Sequence, residues 1–349
     1  MTDNNKIPVG VLGATGSVGQ KFIALLENHP WFKVTGVAAS EKSAGKKYKY
    51  AVNWILSTPL PEKVADLEVK ECEPNLNCKL VFSGLDSSVA GGIEEKFARA
   101  GFTVISNSKN HRMDKDVPLL VPEINPAHLE LIKTQKFNGG GIVTNPNCST
   151  IGMVLALKPL LDNFGLEAVN VVTMQALSGA GYPGVSSLDS IDNVTPFISG
   201  EEEKLMSEPL KIFGTLTSDH IKNIDLKISS QCNRVPVIDG HLECVQIKFK
   251  RKTGVDEIKN IWRTFRAEPQ KLNLPTAPDK PIHYFEENNY PQPRIHRNVD
   301  KGMAVSIGRL REDTLFDYKF VILFHNTVRG AAGGALLCAE LMKAKGYFR

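Results

Sequence analysis

The amino-acid sequence predicts an α/β protein made of a Rossmann-like, doubly wound nucleotide-binding domain and an α+β domain with a mixed sheet. Three observations lead to this prediction. A glycine-rich turn follows the first apolar segment, strand-like and helix-like segments alternate up to about residue 146, and strand-like segments dominate from about residue 165. A length of 349 residues also fits two domains.

The first domain is expected to contain a parallel sheet. Residues 7–12 (IPVGVL) predict its first strand, and residues 20–30 predict a helix that ends at Pro30. Residues 91–101 predict another helix, and further strands are expected at residues 33–40, 79–85, 102–108 and 140–146. Strands that alternate with helices in this way indicate a parallel sheet covered by helices.

The second domain has a different pattern. Strand-like segments occupy residues 166–177, 226–237, 242–252 and 302–312, and helical segments lie near residues 200–213 and 255–267. The pattern predicts a mixed or antiparallel sheet with helices on one face. Residues 274–300 are rich in Pro and Asn, and we expect a lid or a subunit contact there.

The last segment, residues 327–346, predicts a helix with small residues on part of its surface, which allows it to pack closely against the first domain. We therefore assign residues 1–147 and 328–349 to the nucleotide-binding domain. Residues 148–327 are assigned to the second domain.

Composition narrows the class of protein. The net charge is only +4, and no dense Lys/Arg block indicates nucleic-acid binding. The N-terminus lacks a signal-peptide pattern, and no apolar run reaches the roughly 18 residues that a membrane span requires. We therefore expect a cytoplasmic protein without a membrane or nucleic-acid partner.

The six cysteines are scattered along the chain, without the paired spacing of a zinc site, so no metal and no disulfide framework is expected. Cys232 and Cys244 are expected to be buried core residues, because a free cysteine is commonly buried.

The glycine turn GATGSVG predicts a nucleotide site. Gly13, Gly16 and Gly19 lie between a strand and a helix, where glycine permits close approach to a pyrophosphate and the helix offers free N–H groups. The alternative is a tight structural turn. The expected contacts to the cofactor are Gly13, Thr15, Gly16, Ser17 and Val18.

The end of the second strand indicates which dinucleotide binds. An acidic residue there would hold a ribose 2′-hydroxyl, whereas the sequence AASEKSAGKKY offers Ser40, Lys42 and Ser43 to a 2′-phosphate. Glu41 argues in the opposite direction. We favour NADP over NAD, and the alternative is that this loop is only a solvated surface.

Cys148, in NPNCSTIG, lies where a predicted strand ends and a helix begins. A helix N-terminus favours the thiolate, so we expect a lowered pKa, and its N–H groups can hold an oxyanion. These features favour a nucleophile over a small buried hydrophobe, and both interpretations remain open from the residues alone.

Several motifs together resemble one enzyme family. In order they are GATGSVG, SNSKNHRMD, VPEINP, NPNCSTI, QALSGAG, GEEEK, NRVPVIDGH and HNTVRGAAG. The set resembles the aspartate-β-semialdehyde dehydrogenases, particularly the branch found in archaea, fungi and some bacteria. The resemblance covers essentially the whole chain, and NPNCSTI and NRVPVIDGH are its most specific parts. It implies that Cys148 is the nucleophile and that the second domain is the catalytic and dimerisation domain.

The resemblance also implies roles around Cys148. Gln175 would orient the acyl intermediate, His241 would act as general acid and base, and Arg234 would grip the substrate carboxylate with its planar fork. The alternatives are a glutamine bonded to the backbone, a structural histidine and a surface ion pair. We expect a turn between Arg234 and His241 that lets both face one pocket.

Further contacts are implied for the substrate and the cofactor. Arg112 resembles the family's phosphate-binding arginine, and Glu201 and Lys204 resemble a pair that contacts the substrate amino group and the phosphate. The remaining expected contacts are Asn147 for the substrate and Ser178, Gly179 and Asn326 for NADP.

The implied reaction is the reversible NADPH-dependent conversion of β-aspartyl phosphate to aspartate β-semialdehyde and phosphate. It proceeds through a thioester on Cys148 and feeds lysine (by way of diaminopimelate), methionine and threonine biosynthesis. A homodimer or homotetramer is implied as well. The alternatives are N-acetyl-γ-glutamyl-phosphate reductase, malonyl-CoA reductase, and a regulatory protein that binds NADP without turnover.

Overall fold

The computed structural model describes residues 5–348. Its first sheet has six parallel strands in the order β3-β2-β1-β4-β5-β6. The strands are β1 (Ile7–Leu12), β2 (Phe32–Ala39), β3 (Val69–Glu71), β4 (Leu80–Ser83), β5 (Thr103–Ser106) and β6 (Gly141–Thr144). The predicted doubly wound sheet is confirmed, although the short edge strand β3 was not predicted. The strand order reverses at β1, and ligands bind at the carboxyl ends of strands around such a point.

The second sheet also has six strands, in the order β10-β7-β11-β14-β13-β12. A small hairpin precedes β10. The strands of both are β7 (Leu166–Gln175), β8 (Thr215–Leu216), β9 (Ile221–Lys222), β10 (Lys227–Arg234), β11 (His241–Phe249), β12 (Ile282–Phe285), β13 (Val305–Glu312) and β14 (Tyr318–Phe324). The pairs β7–β10 and β12–β13 are parallel, and the others are antiparallel. The predicted mixed sheet is confirmed.

The helices flank these sheets. They are α1 (Ser17–Leu26), α2 (Tyr48–Ala51), α3 (Glu62–Ala65), α4 (Ser87–Arg99), α5 (Cys148–Phe164), α6 (Ser187–Ser190), α7 (Glu201–Ile212), α8 (Val255–Thr264), α9 (Glu268–Lys271), α10 (Pro293–His296) and α11 (Gly333–Ala344). A π-helical turn, Val328–Ala332, leads into α11. The sequence prediction placed the start of α4 four residues too late, because it overlooked the Asp86 side chain, which accepts a hydrogen bond from the Ser88 N–H and caps the helix.

Helices α5, α7 and α8 cover one face of the second sheet, where their apolar side chains form a single core with the strands. The opposite face is more open. Side chains along β11 alternate between the two faces, which buries Val245 and leaves Cys244 exposed. The prediction of a buried Cys244 is therefore wrong, because this residue points to the uncovered face, whereas Cys232 is buried as expected.

The C-terminal helix α11 belongs to the core of the first sheet. Leu336 and Leu341 pack in the same apolar cluster as Phe82 of β4. The ion pair between Arg329 and Glu123, in which both guanidinium N–H₂ groups bond the carboxylate, is fully buried at the start of this returning segment. These contacts agree with a returning helix, while the domain limits at residues 147 and 328 stay a prediction.

Within residues 5–348, no helix combines the length and the apolar character that crossing a membrane requires. In the same part of the chain, no group of three or more His, Cys, Asp or Glu side chains is placed to hold a metal ion.

Candidate active site

Cys148 is the first residue of α5 and follows β6 almost directly. The preceding residue, Asn147, caps the helix: its Oδ1 accepts the N–H groups of Ser149 at 3.0 Å and Thr150 at 3.4 Å. This cap fixes the backbone on which the thiol is carried. Cys148 lies in a cleft of about 580 Å³ that also reaches Ser17 at the glycine turn. One cleft thus joins the predicted nucleotide site to the thiol.

The thiol contacts a buried histidine. The Sγ of Cys148 lies 3.2 Å from Nε2 of His241, the first residue of β11. The other ring nitrogen, Nδ1, accepts the backbone N–H of Ala176 at 3.0 Å. A nitrogen that accepts an N–H carries no proton, so the neutral ring has its proton on Nε2, facing the sulfur. His241 is therefore oriented as a proton donor to Sγ.

Both members of this pair are uncharged in the resting site. Burial lowers the pKa of His241 well below its usual range, and the nearby charge of Arg234 acts in the same direction. Burial, followed by the charge of Glu201, raises the pKa of the Cys148 thiol to about 12, although Arg112, Arg234 and Lys204 oppose this. The predicted lowering of the Cys148 pKa is wrong, because desolvation outweighs the helix N-terminus at this partly buried thiol.

Glu201 is the centre of a second cluster. It is the first residue of α7, and its carboxylate accepts bonds from Asn147 Nδ2 at 3.0 Å and from Lys204 Nζ at 2.6 Å. Gln175, the last residue of β7, donates Nε2 to the same carboxylate at 3.3 Å. The structure thus brings four of the predicted site residues together. Asn147 and Gln175 face Glu201, and their catalytic and binding roles stay predictions.

Arg234 and His241 both bond the backbone of Ala176. Arg234 NH1 donates to the carbonyl oxygen of Ala176 at 2.7 Å, and Ala176 also supplies the N–H that orients His241. A Cβ added to Gly179 would lie 2.8 Å from Arg234 NH1 and 3.1 Å from His241 Cε1. The backbone of Ala176 and the bare Cα of Gly179 therefore set the space in which Arg234 and His241 act. Ala176 was missed because a backbone contact leaves no side-chain signal in the sequence.

Arg112 lies in the loop after β5. Its NH1 donates to Glu208 Oε1 at 2.8 Å and its NH2 to the carbonyl of Asn107 at 2.7 Å. Its buried Nε has no hydrogen-bond partner among the described residues. Glu208, on α7, was not predicted as a site residue. Its spacing of seven residues from Glu201 places both on one face of the helix, and this periodicity is the signal that could have revealed it.

The glycine turn is shaped as a dinucleotide site requires. Gly13 has a φ of +70°, and a Cβ at Gly19 would lie 2.2 Å from the Gly13 carbonyl oxygen. Gly16 caps α1 without a side-chain bond, and Thr15 lies within the same turn. No side chain at Gly16 caps the first N–H groups of α1, so these groups can bind the pyrophosphate of a dinucleotide.

The remaining predicted cofactor contacts divide into two groups. Ser178, Gly179 and Asn326 line the cleft. Asn326 also links two loops, since Oδ1 accepts the Gly240 N–H and Nδ2 donates to Ser178 Oγ, both at 2.8 Å. Ser40 and Ser43 lie in the loop after β2 and do not line the cleft; the Ser40 carbonyl accepts the Ser43 N–H there. Their contact with a 2′-phosphate stays a prediction.

A glycine turn that leads along one cleft to a paired cysteine and histidine is the arrangement of a nucleotide-dependent oxidoreductase with a covalent sulfur intermediate. Two family models match the chain. The NAD binding domain of semialdehyde dehydrogenases matches residues 8–132. The dimerisation domain of semialdehyde dehydrogenases matches residues 157–329.

Individual relatives identify the family more narrowly than the two family models do. The aspartate-semialdehyde dehydrogenase of Archaeoglobus fulgidus is 52% identical over 338 residues, which cover 96% of this chain and 97% of the relative. That of Saccharomyces cerevisiae is 47% identical over 355 residues, with coverage of 96% and 97%. A crystal structure of the Candida albicans aspartate-semialdehyde dehydrogenase with NADP is similar, with a TM-score of 0.91, 45% identity and coverage of 98% and 100%. The chain belongs to the aspartate-semialdehyde dehydrogenase family, and the family predicted from the motifs is confirmed.

Proposed function

We propose that the protein catalyses the reversible NADP-dependent reaction between L-β-aspartyl phosphate and L-aspartate β-semialdehyde with phosphate. The observation that carries the proposal is the 3.2 Å contact between Cys148 Sγ and His241 Nε2, in a cleft that begins at the glycine turn. The similarity to the aspartate-semialdehyde dehydrogenases of an archaeon and a fungus supports the proposal. The crystal structure of aspartate semialdehyde dehydrogenase II from Vibrio cholerae, complexed with ASA, is also similar, with 25% sequence identity.

NADP would be held by the glycine turn and by the cleft. The N–H groups at the start of α1, near Ser17 and Val18, would meet the pyrophosphate. Ser178, Gly179 and Asn326 line the part of the cleft near Cys148, and Ser40 and Ser43 are proposed for the 2′-phosphate. When bound, NADP supplies hydride transfer at the substrate carbon that is attached to sulfur.

The sulfur chemistry belongs to Cys148. In the biosynthetic direction, Sγ attacks the acyl phosphate carbon, the bond to the phosphate oxygen breaks, the thiol proton leaves with the phosphate, and a thioester remains. After reduction, the carbon–sulfur bond breaks and the aldehyde leaves. The N–H on Nε2 of His241 faces Sγ and can donate a hydrogen bond to the departing thiolate, which then takes a proton from water; His241 is the proposed general acid and base. Gln175 is proposed to orient the acyl group from the end of β7.

Charge complementarity supports the binding roles that the family resemblance implies. Arg234 can hold the substrate carboxylate with its guanidinium, and Glu201 can pair with the substrate ammonium. Arg112 and Lys204 are the cations proposed to bind the phosphate. Asn147 supports this arrangement, because its Nδ2 holds the Glu201 carboxylate at 3.0 Å.

The uncovered face of the second sheet is proposed as the interface of a homodimer. Two such dimers could associate into a homotetramer. Val172, Met174, Cys244 and Val321 lie on this face and are not fully buried. Near the same sheet, Leu188, Ile191, Val194 and Phe197 expose 89%, 67%, 55% and 65% of their surface. The description of the matching family model as a dimerisation domain supports this assignment. We place the enzyme in the cytoplasm, where its small-molecule substrates would be made.

A spectrophotometric assay tests the proposed reaction. L-aspartate β-semialdehyde and NADP⁺ are mixed with the protein in the presence and absence of phosphate, and NADPH formation is followed. We expect formation that depends on phosphate. Activity only with N-acetylglutamate semialdehyde, or with malonate semialdehyde and CoA, would assign the cysteine chemistry to a different substrate.

A further inference from the structure

Helix α7 carries a stripe of charged groups, most of them buried, toward the active site. Glu201, Lys204, Glu208 and Lys211 follow each other at intervals of three or four residues, so they share one face of the helix. Glu208 and Lys211 are 2% and 4% exposed, although charged side chains are rarely buried unless they are paired. The inner half of the stripe has no role in the proposed reaction, so its contacts need a separate explanation.

Glu208 joins the two sides of the site. Its Oε1 accepts NH1 of Arg112 at 2.8 Å, from the loop after β5. Its Oε2 accepts the backbone N–H of Asn147 at 2.7 Å, one residue before Cys148. One carboxylate therefore fixes the distance between the guanidinium and the backbone that carries the nucleophile.

Lys211 holds the same loop from the next turn of α7. Its Nζ donates to the carbonyl oxygens of Arg112, Asp114 and Val117 at 2.8, 2.7 and 2.8 Å. These three acceptors match the three N–H donors of an ammonium group. Burial lowers the pKa of Lys211 to about 8, which still leaves most of the group protonated at neutral pH. The loop that carries Arg112 is thus anchored by its backbone as well as by its side chain.

We propose that Glu208 is a positioning residue that aligns the guanidinium of Arg112 with Cys148 for the binding and departure of phosphate. The inference rests on the proposed role of Arg112 as a phosphate ligand. Glu208 and the Asn107 carbonyl occupy the two terminal nitrogens of Arg112, while the buried Nε has no partner within residues 5–348. The fixed orientation therefore holds the guanidinium at one position in the lining of the cleft that contains Cys148.

The chemistry of this position requires a carboxylate. Two donors approach Glu208 from different elements, and each takes a separate oxygen. A glutamine has one acceptor oxygen, so its NH₂ group would face either Arg112 or the Asn147 N–H as a second donor. An aspartate keeps both acceptors, but its side chain is one methylene shorter. Glu208→Gln is therefore a sharper test than a truncation, because it preserves the volume of the side chain.

A double-mutant cycle on phosphate use tests the proposal. The wild type, Glu208→Gln, Arg112→Gln and the double variant are assayed for NADPH formation at saturating semialdehyde and NADP⁺. We expect Glu208→Gln to raise the phosphate KM about tenfold, the loss of one charge-assisted hydrogen bond, with less than about twofold change in the KM of NADP⁺. In the Arg112→Gln background, the same change should have little further effect, because the positioned group is gone.

Glu203→Gln is the matched control, since Glu203 lies on the same helix and its side chain is exposed. Its phosphate KM should equal that of the wild type. If Glu208→Gln raises the phosphate KM equally in both backgrounds, or not at all, Glu208 does not act through Arg112. If Arg112→Gln leaves the phosphate KM unchanged, the proposed phosphate role of Arg112 fails first. A thermal midpoint for each variant separates misfolding from these outcomes.

Discussion

Replacing Gly330 with alanine tests how closely the π-helical turn controls the position of the nucleophile. A Cβ at Gly330 would lie 2.9 Å from Cys148 Cβ, 3.1 Å from its Cα and 3.3 Å from its carbonyl oxygen. An ordinary contact begins near 3.4 Å, so the two residues must separate by 3.4 − 2.9, or 0.5 Å. The Asn147 cap and the contact with His241 resist this movement.

A misplacement of about 1 Å in a catalytic group costs on the order of a hundredfold in rate, so half that distance predicts a loss of about tenfold. We therefore expect kcat of Gly330→Ala to fall about tenfold at saturating NADP⁺, semialdehyde and phosphate. The φ of Gly330 is not in the left-handed region, so alanine introduces no backbone strain there. The loss should arise from the contact alone.

Gly92→Ala is the matched control. Gly92 lies inside α4, and an added Cβ there meets nothing within 4 Å. The control should keep full activity and gain about 0.5–1 kcal/mol of stability, because alanine is the better helix former. Wild-type kcat in a folded Gly330→Ala variant would show that Cys148 is not held by this contact.

Three further predictions concern the nucleophile, the substrate arginine and a buried histidine. Cys148→Ser should lose at least about a thousandfold in kcat while it still binds NADP by fluorescence titration, and near-normal turnover would contradict a covalent mechanism. Arg234→Lys should chiefly raise the semialdehyde KM in steady-state assays, because the planar fork is lost; unchanged kinetics would remove Arg234 from the substrate site. Burial lowers the pKa of His128 to about 4 from its usual 6.5, so the unfolded chain binds more protons between these values and stability falls as the pH drops from 6.5 to 4. In urea titrations, the free energy of unfolding of the wild type should fall between pH 6.5 and pH 4 by up to about 3 kcal/mol more than that of His128→Gln. Equal decreases in the two proteins would contradict this assignment.

The parts of the fold that the sequence predicts well depend on local signals. Gly13 and Gly19 identify the first βα turn because backbone geometry there excludes larger residues. Strand β14 was overlooked although its sequence, YKFVILF, is a strong local strand pattern. Strand β12 was missed because it lacks such a pattern. β12 lies within a Pro- and Asn-rich stretch. It is defined by its parallel pairing with β13, in which Ile282 lies opposite Val305, a residue distant in the sequence. Part of residues 274–300 forms the edge of the second sheet, and the lid or subunit contact expected for this segment stays a prediction.

The same distinction applies to the site. Cys148 was singled out by its place between a strand and a helix, whereas His241, Arg234 and Glu201 were predicted from motifs that resemble the family. The pKa of Cys148 was predicted in the wrong direction, because a helix N-terminus is visible in the sequence whereas the burial of the thiol is a property of the folded chain. Ala176 acts through its backbone, and Glu208 reaches the site only after α7 packs against the first domain. These contributions depend on tertiary contacts that no short motif encodes.

The covalent role of Cys148 can be measured directly by mass spectrometry. The protein is mixed with L-aspartate β-semialdehyde and NADP⁺ in phosphate-free buffer, quenched in acid and analysed intact and after proteolysis. We predict a mass increase of one aspartyl group on the peptide that contains Cys148, its loss when phosphate is added, and no adduct in Cys148→Ser. Phosphate-dependent NADPH formation without any adduct on Cys148 would contradict the thioester mechanism.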